Sequence, residues 1–174
     1  MDQTQNDHLK AYGLIYLALK KQIRVEWLLN YKSGSFIMDN SNIIAKEALV
    51  RGITYYNVNS SEINSIYETI NNNNMDIVLL EKSPKIAVYS PDDKQPWDDA
   101  VTLALTYAEI DYDIIFDHEV LTGELSKYDW LHLHHEDFTG QYGKFYKSYR
   151  NTSWYRKLEN DFNKCASDHG YASV

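Results

Sequence analysis

The sequence predicts an α/β protein with a doubly wound, mainly parallel sheet, and two observations carry that prediction. Short runs rich in β-branched and aromatic residues alternate with longer segments whose apolar residues recur at spacings of three and four. Between them stand clusters of Gly, Pro, Asn, Asp and Ser, the residues that end helices and strands.

Taken in order, residues 7–21 place Leu9, Tyr12, Tyr16 and Leu19 on one helical face, with Asp7 near the start and Gly13 inside. Residues 25–29 read as a strand that ends in the turn cluster 30–34, and 35–38 as a second short strand. A helix follows to about Arg51, capped by Asp39, Asn40 or Ser41 and stopped at Gly52. Residues 53–58 read as a strand, and a helix capped by Ser60 or Ser61 carries Ile63, Ile66, Tyr67 and Ile70. Residues 75–80 fit another strand, with continuation of the helix as the alternative reading.

Ser83-Pro84 marks the boundary between two expected units, residues 1–82 and 83–174, the second amidotransferase-like by the resemblance given below. Such units can share one sheet. Beyond it, 85–90 is a strand, 97–110 a helix opened by Asp98 and Asp99, and 112–116 and 128–135 two more strands. From Gly140 onward the chain is helical in parts, with Trp154, Tyr155, Leu158 and Phe162 at helical spacing.

Length and charge then limit what the protein does. With 174 residues a core needs no disulfide or metal staple, and the lone Cys165 offers no internal disulfide. The net charge is −8 without a compensating Lys/Arg run, which argues against nucleic acid and anionic membranes as partners. No apolar run reaches the length of a membrane span, and the first five residues lack the apolar core of a signal peptide.

Chemistry concentrates in three places. In 132–141, His132 and His134 share a strand face, while His135, Glu136 and Asp137 follow at its C-terminal end, where open α/β sheets bind ligands. Imidazole beside carboxylate suits proton transfer, metal binding or a satisfied structural network; the spacing matches no metal motif, so no metal or cofactor is assigned. His134, His135 and Glu136 are therefore the catalytic candidates, without assigned roles. Asn30, Tyr31, Lys32 and Gly34 form a loop that could receive an anion or simply close a hairpin. Asp92 and Asp93 follow the strand at 85–90 and suit a hydroxyl, a cation or a helix cap, whereas Asp117, His118 and Glu119 read as solvated surface. Asn30, Tyr31, Gly34, Asp92 and Asp137 are the ligand-binding candidates, and a small polar molecule the expected partner. Dinucleotide and phosphate loops, a zinc-protease motif and a nucleophile elbow are all absent, and Cys165 reads as a packed helix residue.

The segments 8–13, 27–31, 34–36 and 131–141 resemble an uncharacterised bacterial family, common in Bacteroidota, labelled asparagine synthetase B-like. The label's own motifs are missing: position 2 is Asp2 rather than cysteine, and Ser33-Gly34-Ser35-Phe36 departs from S-G-G-x-D-S. What the resemblance implies is a flavodoxin-like domain similar to class I glutamine amidotransferases. It places the nucleophilic cysteine downstream of the region aligned with 170–174, so this chain is expected to lack amidase activity. It also implies a periplasmic or exported protein, while the residues themselves leave the compartment, the cytoplasm included, open. The alternative is a non-catalytic module of an exported protein whose aromatic residues engage a glycan or a protein.

Overall fold

The computed structural model describes residues 4–90, 99–133 and 141–172. They form two compact units: Met1–Pro84 with Leu103–Asp111, and Lys85–Thr102 with Tyr112–Val174.

In the first unit, Asp7 caps α1 (His8–Lys20), accepting the Lys10 amide at 2.9 Å. β1 (Val25–Leu29) is the middle strand of an antiparallel sheet, flanked by β2 (Ser35–Met38) and β3 (Asp76–Leu80). Among the described residues the strands thus form two three-stranded sheets rather than one doubly wound, mainly parallel sheet. The loop at 30–34 is too short for the crossover that parallel neighbours require, so β1 and β2 form a hairpin.

Side chains alternate across this sheet. Val25 joins Leu14, Ile15 and Ala18 of α1 and Ile44 and Ala48 of α2 (Asn42–Val50) in a core on one face. On the other, Glu26 accepts a 2.6 Å hydrogen bond from Tyr67 of α3 (Ser60–Asn71). Ser41 caps α2, and Asn59, rather than Ser60 or Ser61, caps α3 in a reciprocal box with Glu62. Residues 53–58, expected as a strand, form no helix or strand and pair with no strand among the described residues; Tyr55, Tyr56 and Val58 are exposed.

Leu103–Asp111 holds against α1 by charge. Glu109 accepts from Lys10 at 2.6 Å and from Arg51 at 2.7 Å, and Lys20 pairs with Asp111. The hydrogen bond from Lys10, and then the charge of Arg51, hold the Glu109 carboxyl below its ordinary 4.5. A depressed carboxyl stabilises the fold above its unfolded pKa, and that contribution disappears as pH falls through the folded value. Urea midpoints should therefore drop more steeply below pH 4.5 in the parent than in Glu109→Gln; identical acid profiles would contradict this.

The second unit is built on a parallel sheet, as the strand and helix alternation predicts. β4 (Ile86–Tyr89) lies between β5 (Asp113–Ile115) and β6 (Trp130–Leu133). Ile86, Ala87 and Val88 are all buried, as a central parallel strand covered on both faces requires. α4 (Ala100–Ala108) follows β4; α5 (Asp117–Leu121), α6 (Gln141–Tyr149) and α7 (Ser153–Asp168) complete the helices. Among the described residues no helix is long and apolar enough to cross a membrane.

Candidate functional site

β4 leads to β5 on one side, and the chain then returns to add β6 on the other. In open α/β sheets, connections that leave in opposite directions mark the C-terminal strand ends where ligands bind, here those of β4 and β6. Three described side chains stand out there.

Ser90, directly after β4, is fully buried; its amide donates to Ile115 O at 3.0 Å. Its hydroxyl has no hydrogen-bond partner among the described residues. A buried hydroxyl left in this state costs free energy, so its persistence at a strand end marks a position suited to a ligand atom or an ordered water. Asp99, buried at the entrance to α4, accepts the amides of Val101 at 2.7 Å and Thr102 at 3.0 Å. His132 of β6 lies with Nε2 3.0 Å from the same Asp99 oxygen, and Thr102 Oγ1 donates to Asp99 O at 2.9 Å. The carboxylate fixes the imidazole, leaving Nδ1 as the ring's other polar atom.

Sequence reading sees Asp99 as a helix opener and His132 as one histidine on a strand face. It does not connect them, because they stand 33 positions apart. Ser90 leaves one usable signal: a small hydroxyl residue at the exit of the most apolar strand.

The predicted residues divide by place. Asp92, His134, His135, Glu136 and Asp137 lie outside the described residues. Asn30, Tyr31 and Gly34 come together in the first unit's hairpin turn. Asn30 has φ 63° and donates to Asn74 O at 3.3 Å; Gly34 has φ 92° and gives its amide to Tyr31 O at 2.9 Å. That amide is engaged in the turn. Tyr31 lines a cleft of about 490 Å³ within the first unit; Asn30 and Gly34 do not.

Other polar groups have local explanations. Asp117 accepts from Tyr89 OH at 2.5 Å, tying the start of α5 to the end of β4, so it is more than solvated surface. The amide of Phe116, 2.9 Å away, and its own amide hold the Glu119 carboxyl below its usual range. Cys165 is half-buried on α7, Sγ 4.0 Å from His169 Nδ1, which itself meets the Cys165 carbonyl at 2.8 Å. Among the described residues no group of three His, Cys, Asp or Glu side chains is placed to hold a metal ion.

No family model, curated protein or solved structure matches this chain. The functional reading therefore rests on the residues themselves.

Proposed function

We propose that the chain is an amidotransferase-like α/β domain that binds a small polar ligand at the C-terminal ends of β4 and β6, without turning it over. The observation that carries this is the buried Ser90 hydroxyl, unpartnered among the described residues, directly after β4. The order β5-β4-β6, in which the first strand lies between the second and third, is that of the first three strands of a flavodoxin-like sheet. The resemblance to the asparagine synthetase B-like family points the same way. Catalysis at an amide carbonyl needs an activated nucleophile, and Cys165 lies within a regular helix. His134, His135, Glu136, Asp92 and Asp137 follow the same two strands in sequence and remain the proposed site residues.

Titration with L-glutamine, followed by amide NMR, tests the placement. Shifts should cluster at Ser90, Asp99 and Leu133, and Ser90→Ala with His132→Ala should weaken them. Millimolar glutamine that moves none of these amides would reject the site.

A second reading has its own observation. Phe145, Tyr146 and Tyr149 of α6 cluster with Trp154 and Tyr155 of α7, with ring centroids 4.6 to 6.4 Å apart, and Phe145 and Trp154 are 50% and 43% exposed. Such a surface suits a glycan or a protein partner. If this reading holds, an oligosaccharide shifts Trp154 fluorescence and His132→Ala leaves that shift unchanged.

A further inference from the structure

A pocket on the face of a strand touches every second residue, because side chains alternate. The first unit's cleft does otherwise. Ser35, Phe36, Ile37 and Met38 line it in succession, and so do residues 53–58. Successive contact means that the cleft runs along the edge of β2. Of β1 only Leu28 reaches it, and β3 contributes nothing. α1 and α2 supply Leu14, Ile15 and Ile44 from one side of the sheet, while α3 supplies Ile63 and Ile66 from the other. The space therefore lies in the sheet's own layer, between helices, where a strand would lie.

Its polar groups fit the same occupant. β2 ends the strand order, and among the described residues no backbone hydrogen bond joins it to residues 53–58. Gln5 lines the cleft and donates to Thr54 O at 3.3 Å, while its own Oε1 is buried without a partner among the described residues. That oxygen needs an N–H. Lys32 before β2 and Asp39 after it both line the cleft, so its two ends carry opposite charge.

We propose that this cleft is a binding site for an extended peptide, which adds to β2 as a fourth strand. The peptide carries β-branched residues in its middle, because helices wall the cleft on both faces. It has an acidic side chain at the Lys32 end and a basic one at the Asp39 end. Main-chain hydrogen bonds to β2 hold it, and the apolar walls select its side chains.

The test uses the whole chain and the synthetic peptide acetyl-EVTIVK-amide. Hydrogen exchange should slow at residues 35–38 and 53–58 on addition of the peptide, and stay unchanged in β3. An analogue N-methylated at alternate residues should fail to bind, since it cannot complete the ladder. Lys32→Glu should weaken acetyl-EVTIVK-amide about threefold and bind acetyl-KVTIVK-amide better than the parent does. No protection of β2 at saturating peptide would overturn the proposal. So would equal binding of the N-methylated analogue, which would make the cleft a site for a small apolar solute. The glutamine titration addresses the second unit, so either result stands without the other.

Discussion

Gly13→Ala is expected to destabilise the first unit by about 3 kcal/mol, the upper range of overpacking. Helix propensity alone predicts the reverse, because alanine in a helix interior is favoured over glycine by about 0.5–1 kcal/mol. The difference is space. A Cβ at Gly13 would stand 1.7 Å from the carbonyl oxygen of Ala108 and 2.8 Å from its carbon. Both are backbone atoms, so no rotamer relieves the clash. α1 would have to move from the 103–111 segment, straining the Asp7–Tyr107, Lys10–Glu109 and Lys20–Asp111 contacts along the same line. Equilibrium urea unfolding followed by circular dichroism measures the loss. A variant as stable as the parent would show that the close approach is not a feature of the folded protein.

The second large effect is expected at Tyr67. Its hydroxyl donates at 2.6 Å to Glu26, a carboxylate that is 8% exposed and also receives Arg24 at 2.5 Å. Tyr67→Phe leaves a buried oxygen of a charged group without its donor, at a cost of about 2 kcal/mol. The same hydrogen bond, then burial, then the charge of Glu26, raise the phenol above its ordinary 10.0. A raised phenol pKa stabilises the fold fully below the unfolded value, and the contribution is lost as pH rises through the folded one. The parent should thus lose stability above pH 10.0 more steeply than Tyr67→Phe does. Ultraviolet titration of the two proteins should differ by one late-ionising tyrosine; if the missing group titrates at an ordinary value, the pairing is wrong.

Local chemistry made most elements readable. Asp7 before an apolar helical face, the β-branched run at Ile86–Tyr89 and the helix spacing of Trp154 to Phe162 each needed no distant partner. Residues 53–58 show the limit: they have the composition of a strand, yet a strand is a property of a pair, and no described neighbour pairs with them. Parallel against antiparallel was also open to reading, because a connection as short as 30–34 excludes a crossover. The cap of α3 fell one residue earlier than expected, since Asn59 with Glu62 completes a reciprocal box. The Asp99–His132 contact was not legible, because no periodicity connects a helix entrance to a strand three elements later.

The antiparallel sheet also fixes an order of events. β1 meets β2 across a short loop, but its other edge meets β3, with Val25 opposite Leu80, only after two helices have been threaded between them. The entropy of closing the second loop is lost before its contacts form, so the hairpin can assemble early while β3 docks late. Mutations in β3 should then chiefly speed unfolding, and those in the hairpin should slow folding. The central strand is in this sense a clock: one side is set by a turn, the other by the whole first unit.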